Sequence, residues 1–215
     1  MSLVSPVYEQ HYKDYLDKLA GLDFPALGPA VGCRVTTGPQ GQGLEIPYFN
    51  RSYQVSPAGI TDGSGRQPGY DTCIILCRYL IMAGDRSGKT VPDGGRQDDW
   101  AGFRDLKDSG PLTVYFKDNV ETAIAGILAG KMPVSPETLV PLNACPPDMD
   151  LQYDLALKVD ALPRVPMLLL VNDEEDGFPS SCSVLFQSGV EVWLDAECIA
   201  MAGYRLAEII RKRFS

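Results

Sequence analysis

Apolar residues recur with a helical period at the start of the chain. Tyr8, Tyr12, Leu16 and Leu19 keep that spacing, Ser5 and Pro6 suit a helix start and Gly21 a helix stop, which predicts a helix over 6–20. The pattern then shortens. VGCRVTT, GLEIPYF and SYQV are short β-prone runs parted by GPQGQ and NR, which predicts a hairpin or small meander from about 31 to 56. ITDGSGRQPGYD, rich in glycine and polar residues, reads as a loop. From Asp71, a capping residue by type, to about Met82 the chain is apolar nearly all round, as in a helix at the centre of a core. Residues 84–110 read as loop, with a short helical turn around DDWAGFRDL.

Leu112, Phe116, Val120, Ile124, Ile127 and Leu128 form one apolar stripe closed by Gly130, which predicts a second long helix from Pro111. The competing assignment is a strand at LTVYF followed by a helix capped by Asp118, with Glu121 completing a capping box. The proline-rich KMPVSPETLVPLNACPPDMD leaves room for at most one short helix, and 131–150 is the natural place for any subdivision. In DLALKVDAL the apolar period drops to two, VPMLLLV is continuously apolar, and CSVLFQ follows the turn NDEEDGFPS. Three strands on short connections predict an antiparallel meander with VPMLLLV in its middle. Asp195 suits the cap of a last helix with Ile199, Ala202, Leu206 and Ile209 inward, and Arg211, Lys212 and Arg213 fall where they offset the negative end of its dipole. The expectation is one α+β domain over 1–215, with antiparallel sheet (an N-terminal hairpin and a C-terminal three-strand meander) packed against several helices.

Charge narrows the function classes. The 215 residues are 45% hydrophobic and 22% charged, and carry a formal charge of -9. That field repels a phosphate backbone, so no nucleic-acid partner is expected. The richest apolar stretch, CIILCRYLIMAG, carries Arg78 and is too short to span a bilayer, so no membrane partner is expected either. MSLVSPVYEQHYKD lacks the charged and apolar blocks of a secretory signal, which makes the cytoplasm the expected location. Six cysteines, mostly far apart, then read as buried reduced thiols.

Several motifs approach known chemistry and stop short. AGDRSGKT ends in Gly88, Lys89 and Thr90, as a phosphate-binding loop does, but Ala83 stands where its first glycine belongs. Pro92, Gly94 and Gly95 follow, and they oppose the helix whose first amides would hold the anion. Lys89 and Thr90 remain ligand-binding candidates, with Trp100 and Asp105 beyond a glycine-rich stretch long enough to cover a pocket. NDEEDG resembles a calcium loop at Asn172, Glu174 and Asp176, but Ser183 replaces the closing glutamate. Cys73 and Cys77, four apart on one helix face, are the metal candidates, without a second pair. His11 is the only histidine, so a Ser-His-Asp or Cys-His-Asp triad has to use the first helix.

FNRSYQVSPAG, the stretch from GYDTCIILCRYLIMAG through WAGFRDL to the next helix, and LPRVPMLLLVNDEEDGFPSSCSVLFQSG together resemble an uncharacterised domain-of-unknown-function family of anaerobic bacteria and archaea, sometimes fused to iron–sulfur domains. The resemblance covers the chain beyond its first helix. It implies a link with corrinoid metabolism, and it implies that AGDRSGKT is a linker leading to Trp100 and Phe103. The cysteine block of the fused relatives is missing here. Two function classes follow. The first is a non-catalytic binding or accessory protein, serving a metal- or corrinoid-dependent protein in an anaerobe. The second is an enzyme with a site of dispersed carboxylates, Tyr and Cys, or a nucleotide-dependent transferase using Lys89. Cofactor and partner stay unassigned, with a protein partner and a homo-oligomer both open.

Overall fold

The computed structural model describes residues 6–38, 41–86, 99–175 and 177–214. They form an α+β structure with two antiparallel four-stranded sheets. The first is a meander of β1 (Arg34–Gly38), β2 (Gly41–Tyr48), β3 (Arg51–Ser56) and β4 (Gly59–Asp62), paired in chain order. It extends the expected hairpin or small meander, whose three runs become β1 to β3, by a fourth strand. Gly59–Asp62 lies in the stretch whose composition reads as loop, and pairing with β3 overrides that local signal.

The second sheet has the order β5-β8-β7-β6, from β5 (Trp100–Gly102), β6 (Leu155–Leu162), β7 (Val165–Asn172) and β8 (Ser181–Gln187). β7 is interior and buried from Val165 to Val171, as its unbroken apolar run requires. β5 corrects the helical turn expected around DDWAGFRDL. Trp100, Ala101 and Gly102 are extended opposite Gln187, Phe186 and Leu185, and only Phe103–Asp105 form a 3-10 turn.

The helices are α1 (Pro6–Leu19), α2 (Phe24–Val31), α3 (Tyr70–Gly84), α4 (Thr113–Phe116), α5 (Ala123–Leu128) and α6 (Ala196–Phe214). α2 goes unsignalled by the apolar pattern. Asp23 starts it by accepting the Ala26 N–H at 3.1 Å, and Gly32 ends it in the left-handed region at φ 71°. α3 is the buried helix expected, but its cap is Gly69. Asp71 sits in the first turn, where its charge favours the positive end of the dipole.

α4 and α5 are joined by a π-type stretch, Lys117–Thr122, into one helical run. Its core residues Phe116, Val120, Ile124 and Leu128 are spaced four apart and at most 2% exposed. That spacing runs ahead of a 3.6-residue turn, and an underwound π stretch returns the stripe to one line. α6 is capped as expected, with Asp195 Oδ1 accepting the Cys198 N–H at 2.9 Å.

One hydrophobic cluster runs through these elements from Leu19 to Ile210. α3 packs on α1, α2 and α6, and β2 meets β6. The tight turn between β2 and β3 is tied to the second sheet, because Phe49 donates its N–H to the Ala161 carbonyl at 2.8 Å. That tie brings the turn of the first sheet alongside the last helix.

Candidate functional site

The turn from Tyr48 to Arg51, together with Tyr53, forms one wall of a cavity of about 190 Å³. Pro141, from the 3-10 turn Pro136–Leu142, supplies a second wall. The end of α6 closes it with Arg205, Ile209, Lys212 and Arg213. The walls are apolar and aromatic. Tyr48 and Phe49 pack with ring centroids 4.9 Å apart, and Tyr48 and Tyr53 at 6.5 Å. The mouth is cationic, with four basic side chains in a chain whose net charge is -9.

The wall is pinned from outside. Asn50 Nδ2 donates to the Val140 carbonyl at 3.1 Å, and Arg213 Nε donates to the Thr138 carbonyl at 3.0 Å. Arg205 pairs with Glu208 at 3.0 Å, one helical turn on. Arg51, Lys212 and Arg213 have no carboxylate partner among the described residues.

Two features of the wall are costly. Phe49 has φ 50°, a left-handed backbone that a bulky residue rarely adopts, although it is only 5% exposed. The Tyr48 hydroxyl is buried with no hydrogen-bond partner among the described residues. Burial pushes its pKa well above the usual phenol range, Asp71 adds to the rise, and Arg205 opposes it. Such a phenol stays protonated and is a poor proton-transfer group.

The residues singled out in the sequence lie elsewhere. Lys89 and Thr90 fall outside the described residues. Trp100 is half-buried in β5, and its buried indole Nε1 has no hydrogen-bond partner among the described residues. Asp105 is exposed and accepts the Gly102 N–H at 3.2 Å, so it holds the 3-10 turn after β5. It borders a second recess of about 480 Å³ with Lys117, Glu121 and Ser183. That recess spends its charged groups internally. Glu121 takes the Val184 N–H at 3.0 Å, just past the reach of β5 on β8, and pairs with Lys117 at 3.1 Å.

Cys73 and Cys77 are both buried on α3. The Cys73 thiol donates to the Pro68 carbonyl at 3.7 Å. Burial pushes Cys73 up to about 11 and Cys77 up to about 12, the state of packed thiols and not of ready thiolates. Among the described residues, no three or more His, Cys, Asp or Glu side chains gather as a metal site. In the calcium-like run, Asp173 accepts the Gly130 N–H at 2.7 Å and donates its own N–H to Asp154 at 2.7 Å, so it braces the turn. His11 is exposed on α1.

The cationic cavity was half visible in the sequence. RKR at the end of α6 stood out as a complement to the helix dipole, and FNRSYQV as part of a family resemblance. What was missing was their meeting, which depends on Phe49 reaching Ala161.

Fold and cavity define a class: an α+β protein of two antiparallel sheets, with a cationic pocket where the turn of one sheet meets the last helix. The chain belongs to the family described as domain of unknown function (DUF3786), whose model matches residues 23–209. That span takes in the turn, Arg205 and Ile209, and stops before Lys212. No curated protein and no solved structure matches the chain. Among the described residues, no helix is long and apolar enough to cross a membrane.

Proposed function

We propose that the protein is a non-catalytic binding protein, and that its ligand is a small organic acid seated in the cationic cavity. One observation carries this reading. In an acidic chain, Arg51 from a β-turn and Arg205, Lys212 and Arg213 from α6 surround one apolar-walled opening. The end of a helix accounts for Lys212 and Arg213 by its dipole. It does not account for Arg51, which comes from another element, or for Arg205 two turns upstream.

The lining also favours binding over chemistry. None of its residues is a Cys, His, Ser, Asp or Glu, so the commonest catalytic nucleophiles and general bases are missing from its lining. An apolar pocket with a few convergent polar groups is the usual form of a small-molecule site. The narrower role expected from the sequence, service to a metal- or corrinoid-dependent protein, is carried by the resemblance alone.

Amide chemical-shift mapping with matched single-ring anions and cations tests the proposal. Anions are expected to shift the signals of Phe49–Tyr53 and of Arg205–Phe214. Shifts that cluster elsewhere, or cations that bind as well as anions, overturn it.

A further inference from the structure

We infer that the ligand carries a doubly charged head on a body no larger than about one ring, an inference that rests on the cavity being a binding site at all. Size sets the body. An enclosed apolar cavity of about 150 Å³ accommodates one benzene. The cavity here measures about 190 Å³, which admits one ring and little more. Pockets for drug-sized ligands run to ~300–1,000 Å³. The recess therefore encloses no more than a ring-sized part of a nucleotide or a macrocycle. Tyr48, Phe49 and Tyr53 are at most 5% exposed, so such a ring would meet only their edges, together with the half-buried Ile209.

Charge sets the head. Arg205 is already paired with Glu208, so its field is partly cancelled. Arg51, Lys212 and Arg213 are exposed at the mouth, and no carboxylate among the described residues neutralises them. The Nε of Arg213 is committed to Thr138, which leaves the outer guanidinium nitrogens for the ligand. Three uncompensated cations around one opening overmatch a single negative charge and suit two. Guanidinium groups bind phosphoryl and carboxylate oxygens through paired hydrogen bonds, so a phosphate monoester and a dicarboxylate share the required chemistry.

Four probes separate charge, shape and body, each titrated calorimetrically into the full chain at pH 7.5, where a phosphate monoester is mostly dianionic because its second pKa is about 6. Phenyl phosphate is the dianion. Benzenesulfonate has nearly the same tetrahedral head with one charge. Phthalate places two carboxylates on one ring. Inorganic phosphate has the head without the body. Phenyl phosphate or phthalate, or both, are expected to bind at least tenfold more tightly than benzenesulfonate, about 1.4 kcal/mol. Whichever dianion binds better names the head. Phosphate alone is expected to bind at least tenfold more weakly than phenyl phosphate.

Arg51→Gln and Lys212→Gln remove exposed side chains and leave the core untouched. Each is expected to shrink the preference for the dianion at least threefold without abolishing sulfonate binding. Equal affinity for sulfonate and both dianions overturns the charge inference and leaves the binding site standing. Phosphate as tight as phenyl phosphate overturns the ring. No binding by any of the four overturns the inference together with the reading beneath it.

Discussion

Two buried tyrosines give the cavity wall a stability test with opposite signs. The Tyr48 side chain is 2% exposed and its hydroxyl has no hydrogen-bond partner among the described residues. Tyr79 is 0% exposed, and its hydroxyl donates to the Val31 carbonyl at 3.0 Å. Removing one oxygen changes packing little in either case, so hydrogen bonding decides. A buried polar group left unpaired costs about 1–3 kcal/mol, whereas a formed hydrogen bond contributes a net ~1 kcal/mol. Tyr48→Phe is expected to stabilise the protein by about 1 kcal/mol, since the small void left behind offsets part of the relief. Tyr79→Phe is expected to destabilise it by about 1 kcal/mol, more if the Val31 carbonyl is left dry. For a chain of this length, 1 kcal/mol moves Tm by about 2–4 °C. Urea unfolding with an unchanged slope reads the difference, and calorimetry reads the Tm. A loss of 1 kcal/mol or more in Tyr48→Phe refutes the reasoning, because it means that the hydroxyl is satisfied in solution.

Two further outcomes follow from the packing of α6. Burial raises the Asp195 carboxyl, but the Cys198 amide and Arg78, whose Nε donates to it at 2.8 Å, outweigh that and hold it below the usual carboxylate range. A depressed folded pKa adds stability that is present above the unfolded value of about 3.9 and is lost as pH falls through the folded one. Asp195→Asn keeps a good cap and removes the titration, so its deficit in urea unfolding is expected to be largest near pH 7 and to narrow below pH 4; parallel curves refute this. At Gly203 an added Cβ would lie 2.4 Å from the Phe116 ring, which is stacked on Phe103 with centroids 4.2 Å apart. Overpacking of ~1–3 kcal/mol then exceeds the ~1 kcal/mol of helix propensity gained, so Gly203→Ala should destabilise, and a gain in stability would mean that the helices lie farther apart.

Long periodic segments were legible because burial repeats along them. α1, α3, α6 and β6 through β8 all follow from spacing, and the stripe from Phe116 to Leu128 identified its helical run despite the π stretch inside it. Elements that exist through their partners were not legible. Three residues of β5 show no period, and Trp100–Gly102 become a strand only because β8 offers Leu185–Gln187. β4 is hidden by Gly59 and Asp62, and α2 by two prolines and a glycine within eight residues. The site follows the same rule. Lys212 and Arg213 have a sufficient local reason to sit where they do, so nothing local marks them as facing Arg51. Trp100 and Asp105 stand out in the sequence beside a glycine-rich stretch, and the structure places them in an edge strand and a turn cap.

Three unfavourable features meet at the cavity. A bulky residue in the left-handed region costs on the order of 1–3 kcal/mol. Phe49 sustains it because its N–H is held by Ala161 and its ring is buried against Tyr48. The Tyr48 hydroxyl is unpaired beside it, and the mouth crowds like charges. Each has a bland explanation when taken alone: a tight turn, a packing compromise, a helix end. The first two are linked, because Phe49 packs on Tyr48, and neither predicts the charges. A site for an anion predicts the charges and a wall held in fixed geometry, since it keeps Arg51, Lys212 and Arg213 apart from carboxylates; the Tyr48 hydroxyl is closed off from solvent, so its lost hydrogen bond belongs to the packing of that wall. The polar recess beside Asp105 is the internal contrast. It is the larger of the two, yet its charged groups Arg104, Asp105, Lys117 and Glu121 are all bonded within the protein, so it holds no unpaired charge among the described residues.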